Sequence, residues 1–164
     1  MRPIHLFALL IVLALPAHAQ HAHGEGKLDV VIDKDSISIN LELPLDAAVG
    51  FERAPRNERE KAALAAAEKA LGDAALFVPT PAANCKAQAP KVVMPAFGAK
   101  ASNDDHGDID ASYVYRCANP TALKSIETGI FKNFKRLYRL ESQRAGPAGQ
   151  GAARLTPKNP AITW

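Results

Sequence analysis

The chain has 164 residues, 48% of them hydrophobic and 23% charged, with a formal net charge of +3 at pH 7. That length holds one domain with a sizeable core. So small a charge does not mark a nucleic-acid binder, and no apolar stretch is long enough to span a bilayer.

Residues 1–19 read as a signal peptide. Arg2 supplies the positive start, Ile4 to Leu15 is an apolar run broken only by His5, and Ala17-His18-Ala19 is an A-x-A cleavage site. Cleavage between Ala19 and Gln20 leaves residues 20–164 as a single exported domain, expected to be soluble and periplasmic. Loss of Arg2 lowers the charge from +3 to +2. No cysteine follows the cleavage site, so no lipid anchor is expected.

The new amino end is Gln20-His21-Ala22-His23-Gly24-Glu25. Side chains two apart share one side of an extended segment, so His21, His23 and Glu25 share a face. Leu28, Val30 and Ile32 then alternate with polar neighbours, Asp33-Lys34-Asp35 turns, and Ile37, Ile39, Leu41 and Leu43 alternate in the same way. This is a β-hairpin, ended by Pro44, which lacks a ladder N–H.

Leu45 to Pro55 reads as a connection. Asn57 then caps the principal helix (about 57–71), with Glu60 at the capping-box position and a thin apolar stripe of Leu64, Ala67 and Leu71. Gly72 stops it as a C′ residue. Asp73 to Asn84 is loop, with Leu76-Phe77-Val78 turned into the core. Cys85 to Met94 is a strand that Pro90 confines to an edge or a bulge. Pro95 to Gly107 is an irregular polar loop, and 109–117 alternates as a strand.

Asn119-Pro120 opens a short helical turn. Ile126 to Phe134 fits strand and helix equally. Leu137 to Arg144 is a strand, Gly146 to Gly151 a glycine-rich turn, and Ala152–Thr156 and Ile162–Trp164 closing strands. The class is α+β: a mostly antiparallel β-sheet, one principal helix and one disulfide.

The disulfide follows from Cys85 and Cys117, the chain's two cysteines. An even count in an oxidising compartment favours a bond. The alternative, a pair of thiolate metal ligands, lacks the usual C-x-x-C spacing. No G-x-S-x-G, H-E-x-x-H or phosphate loop is present, so no enzyme is expected. Lys132, Lys135, Arg136 and Arg139 interleave with Phe131, Phe134 and Tyr138, which reads as core aromatics under a wet basic face rather than an RNA-binding stripe.

The remaining chemistry lies in histidine. Past the leader, the third histidine is His106, and His106, Asp108 and Asp110 again share a parity. Two strips of nitrogen and oxygen ligands make a divalent transition-metal site if the fold joins them. For that, the strand holding Leu28 must lie near the strand holding Tyr113. The alternative for His21 and His23 is a frayed, exposed tail.

Several short motifs occur in a fixed order: His21-Ala22-His23-Gly24, Gly50-Phe51-Glu52-x-Ala54-Pro55, Cys85, His106-x-Asp108 leading to Tyr113, Cys117-Ala118-Asn119-Pro120, and Gly149-Gln150-Gly151-Ala152. In this the chain resembles the ZrgA-like family of exported bacterial zinc-binding proteins. The resemblance covers essentially all of residues 20–164. It implies a periplasmic zinc-binding protein linked to zinc acquisition, with an uptake transporter component as partner. Relatives often carry a long His/Asp/Glu-rich insert where Ala96 to Gly107 is short, with His106 its only histidine, and a histidine where this chain has Arg53. One well-formed site is therefore expected rather than a high-capacity store.

The expected ligands are His21, His23 and His106 with Asp108 as an oxygen donor. Glu25 and Asp110 serve as substitutes or orient the rings. Zinc affinity should fall as pH drops through the histidine range. Copper is the alternative metal, because Cu(II) outcompetes Zn(II) at most nitrogen and oxygen sites. A non-catalytic adaptor, docking through a sheet edge or the Phe51–Pro55 loop, is the alternative class.

Overall fold

The alternation of apolar and polar residues in the first half of the chain needs a surface to bury one set of side chains, and a sheet supplies it. The structure is a computed structural model in which residues 23–97 and 107–164 are described. The expected signal peptide, the expected Ala19/Gln20 cleavage site, His21 and His106 lie outside those residues.

The hairpin forms as expected, as β1 (Glu25–Asp33) and β2 (Ser36–Pro44), paired antiparallel from Lys27↔Glu42 to Asp33↔Ser36. β2 also pairs antiparallel with β6 (Asp108–Cys117). Leu28, Val30, Ile37, Ile39, Leu43, Ile109 and Tyr113 are buried on one face of these strands. Each large side chain removed from water in this way stabilises the fold by about 1.5–3 kcal/mol. The other face carries Lys27, Asp29, Asn40 and Asp110.

The rest of the large sheet is added at both sides. β8 (Arg139–Gly146) lies parallel to β1, and β9 (Gly149–Leu155) returns antiparallel to β8. β4 (Cys85–Ala87) and β5 (Lys91–Val93) both pair with β6. The expected strand over Cys85–Met94 is thus two short edge strands, separated where Pro90 cannot donate to a ladder. A three-stranded sheet of β3 (Phe77–Pro79), β7 (Ser125–Thr128) and β10 (Ala161–Thr163) completes the β-structure.

Of the helices, α2 (Glu58–Leu71) is the principal one, and the Asn57 side chain accepts from the Glu60 N–H at 2.9 Å, as its cap position demands. Gly72 follows its last residue, Leu71, as expected, in a right-handed conformation with φ −72°. The stretch 126–134 proves to be both structures in turn, β7 followed by the single turn α3 (Ile130–Asn133). Leu45–Pro55, read as a connection, begins with a short helix, α1 (Leu45–Val49). Among the described residues, no helix is long and apolar enough to cross a membrane.

Cys85 and Cys117 face each other in the β4–β6 register and are bonded, so the thiolate alternative is excluded. The bond closes a loop with a sequence separation of 32. Replacing both cysteines by alanine should therefore cost about 2–4 kcal/mol in urea denaturation, through the freedom returned to the unfolded chain.

The basic run behaves as its pattern suggests. Phe131 and Phe134 are buried, while Lys132, Lys135 and Arg136 are exposed. Tyr138 departs from it, with about half its surface exposed at 49%.

Candidate metal centre

Antiparallel pairing decides which chain ends meet. β1 runs against β2, and β2 against β6 with Pro44 opposite Asp108. The start of β1, the end of β2 and the start of β6 therefore share one end of the sheet. The strand holding Leu28, β1, and the strand holding Tyr113, β6, lie in the same sheet with β2 between them. The Leu45 N–H at the start of α1 donates to the Gly107 carbonyl at 2.8 Å.

His23 stands at this end, just before β1. Its Nδ1 lies 2.9 Å from Asp46 Oδ2 and 3.5 Å from Glu52 Oε1. One ligand atom from each of the three residues falls within 4.8 Å of the others. A tetrahedral zinc with bonds of about 2.0–2.1 Å has ligand–ligand edges of about 3.3–3.4 Å, so the two contacts bracket the required spacing. Asp46 Oδ1 is buried with no hydrogen-bond partner among the described residues. A buried carboxylate oxygen left unpaired is costly, and a cation bound at the Asp46 carboxylate would offset that cost. The donor set, one imidazole and two carboxylates, suits zinc.

Local backbone chemistry sets this arrangement. Gly24, at φ +75°, turns the chain between His23 and β1. The alternation that would put His23 and Glu25 on one face is thereby broken, and Glu25 is not among the clustered ligands. Its carboxylate accepts the Tyr138 hydroxyl at 2.6 Å and is ion-paired with Arg139. The Tyr138 hydrogen bond, then Arg139, hold the Glu25 carboxyl below its ordinary range.

A Cβ on Gly24 would sit 2.7 Å from Tyr138 Cε1 and 2.8 Å from the Arg136 carbonyl oxygen. Gly24→Ala should destabilise the fold by about 1–3 kcal/mol from the left-handed backbone alone, read by thermal denaturation, and should weaken zinc binding by shifting His23.

Asp108 begins β6, half-buried, and Asp110 faces Glu42 across the β2–β6 ladder, on the polar side of the sheet. Neither belongs to the His23 cluster.

Asp46 and Glu52 are the residues that pattern reading missed. Asp46 lies in the first turn of α1, whose carboxyl end is Gly50 in a left-handed conformation. An acid just after Pro44-Leu45, with glycine four residues on, is a helix start-and-stop signature that was legible in the sequence.

Next to Glu52, Arg53 is committed elsewhere. Its guanidinium makes two hydrogen bonds to the Glu60 carboxylate, at 2.7 and 2.8 Å, and Glu60 also accepts the Arg56 N–H at 2.6 Å. Glu60 thus reaches back to Arg56 rather than to the cap residue itself. The Arg53 hydrogen bond first, then the Arg56 N–H, pull its carboxyl from 4.5 down to about 2.

A carboxyl with a depressed folded-state pKa stabilises above its unfolded value and loses that contribution as pH falls through the folded one. The stability difference between wild type and Glu60→Gln, followed by denaturation against pH, should be constant above pH 4.5 and vanish as pH approaches about 2.

No curated protein matches the chain. A family model described as ZrgA family zinc uptake protein matches residues 20–164, which is the whole of the expected exported domain. A cation-sized cluster of imidazole and carboxylates at the amino end of that region agrees with the description. The chain belongs to the ZrgA family of zinc uptake proteins.

Proposed function

We propose that this protein is a non-catalytic periplasmic carrier that captures zinc as cargo at the His23 end of the large sheet and delivers it to an uptake transporter. The observation that carries this reading is the approach of His23 Nδ1 to two carboxylates, one of which holds an unpaired buried oxygen. His23, Asp46 and Glu52 form the described part of the site. His21 is two residues from His23 in the chain, and His106 is bonded to Gly107, whose carbonyl is held by Leu45 beside Asp46. With Asp108 they are the further candidates for completing the coordination.

His23 binds through an uncharged imidazole, so protons compete with the metal, and release is favoured where the ligands are protonated. The Cys85–Cys117 bond supports an oxidising compartment. The test is calorimetric titration of residues 20–164 with zinc, beside the His21→Ala/His23→Ala/His106→Ala variant. Tight binding of one equivalent that vanishes in the variant supports the reading. Binding that the variant retains rejects it, and tighter binding of copper than zinc under competition would move the cargo to copper.

A further inference from the structure

Next to the 46–52 segment lies a groove of about 430 Å³, between the end of α1, the first turns of α2 and the chain before β8. Its apolar floor includes Val49 and Phe51, and its walls carry Arg59 and Arg136. The one carboxylate in it, Glu60, is neutralised by Arg53 and the Arg56 N–H. Arg59 and Arg136 are exposed and have no ion-pair or hydrogen-bond partner among the described residues. Among the described residues, the groove therefore presents two guanidinium groups with no paired carboxylate.

Arg136 is held against the metal-binding segment. A Cβ on Gly50, which has φ +88°, would sit 2.7 Å from the Arg136 Cζ, so the guanidinium rests on bare backbone. The Gly50 N–H in turn donates to the Asp46 carbonyl at 2.8 Å. One short segment thus carries the acidic residues Asp46 and Glu52 and also packs against the Arg136 guanidinium.

The geometry points to this groove as the docking site for an acidic segment of the protein that receives the zinc, an inference that rests on the metal-carrier reading above. Planar guanidinium forks match carboxylates with two parallel hydrogen bonds. The apolar floor suits the aliphatic parts of a peptide and would serve no purpose for a bare inorganic anion. Transfer by ligand exchange needs the receiving ligands close to the donor site, and zinc-accepting ligands include carboxylates. Asp46 and Glu52 repel incoming carboxylates, so an adjacent basic groove supplies the attraction that brings them there.

The test is fluorescence anisotropy of a labelled, Glu-rich peptide containing leucine, titrated with residues 20–164 in chelator and again with one equivalent of zinc. Arg59→Ala/Arg136→Ala should weaken peptide binding by about tenfold or more in chelator. Lys69→Ala/Lys86→Ala, which removes the same charge from exposed positions outside the groove, should change it by less than about twofold. Arg59→Glu alone, which leaves the Arg136 packing in place, should weaken it as well.

Equal losses in the two double variants, or none in the groove variant, would overturn the proposal. Displacement of the peptide by an equal concentration of inorganic phosphate would overturn it in favour of a small-anion site. Zinc titration of the same samples separates the two readings. Unchanged zinc affinity in the groove variant supports a docking role distinct from coordination, whereas lost affinity would make the arginines part of the metal centre and overturn it. Failure of wild type to bind zinc, with peptide docking intact, would reject the carrier reading and the receiver role while leaving an acidic-peptide site.

Discussion

Asp46→Ala should lower zinc affinity by about 10–100-fold, whether the carboxylate binds the ion directly or orients His23. Asp46 Oδ2 is 2.9 Å from His23 Nδ1, so the substitution removes both an oxygen donor and the group that fixes the ring. The same change should leave the stability of the metal-free protein unchanged or slightly raised. Asp46 Oδ1 is buried without a partner among the described residues, and removing an unsatisfied buried polar atom relieves a cost instead of creating one. Isothermal titration calorimetry reads the first effect and urea denaturation in chelator the second. A large loss of metal-free stability would show that Asp46 is a structural residue of α1 and not part of a metal site. His23→Ala gives the complementary case: its side chain is 78% exposed, so weaker zinc binding should come with no loss of fold.

Tyr113→Ala should destabilise the protein by about 3–5 kcal/mol, the range for truncating a large buried aromatic residue. Tyr113 is 1% exposed in the middle of β6. Its ring packs edge-on against Phe77 with centroids 4.8 Å apart, and its hydroxyl donates to the Leu71 carbonyl at 2.8 Å. One side chain thus ties the large sheet to the end of α2 and to the small sheet.

Burial pushes the Tyr113 hydroxyl well above its ordinary pKa, which favours its protonated, hydrogen-bond-donating form. Tyr113→Phe, which keeps the ring and strands the Leu71 carbonyl, should cost less, about 1–3 kcal/mol. The neighbouring Tyr115 makes the same kind of tie, donating to the Ala74 and Phe77 carbonyls at 2.7 and 3.0 Å. Chemical denaturation of the two Tyr113 variants separates the packing contribution from the hydrogen bond.

What was legible in the sequence is what local periodicity carries. Leu28, Val30 and Ile32 against Ile37, Ile39, Leu41 and Leu43 specify a hairpin because a one-residue slip would expose every one of them. Asn57 and Glu60 mark the start of α2 because orphan N–H groups need acceptors there. The disulfide followed from compartment and count. The stretch 126–134 was ambiguous because a short apolar run fits both periods, and the chain resolves it by using Gly129 to pass from β7 into α3.

Pairing partners were not legible in the same way. Nothing local says that β8 lies parallel to β1, or that β2 separates β1 from β6. Strand order is chosen by contacts far apart in sequence, and these depend on how the whole set of apolar faces can be buried at once. The candidate site shows the consequence. Parity put Glu25 beside His23, but parity holds only while the strand continues, and Gly24 at φ +75° ends it there. Glu25 then pairs with Tyr138 and Arg139, more than a hundred residues away.

By itself, then, the sequence determined the class, the hairpin, the principal helix, the disulfide and His23 as a ligand candidate, because each rests on residue types at short spacing. The tertiary structure alone decided that His23 is joined by Asp46 and Glu52 and that Glu25 is drawn away to Tyr138 and Arg139. Antiparallel pairing through β2 brings the strand ends together. A metal site depends on distances of a few ångströms between side chains, and those distances are fixed by packing of the whole chain, not by spacing along it.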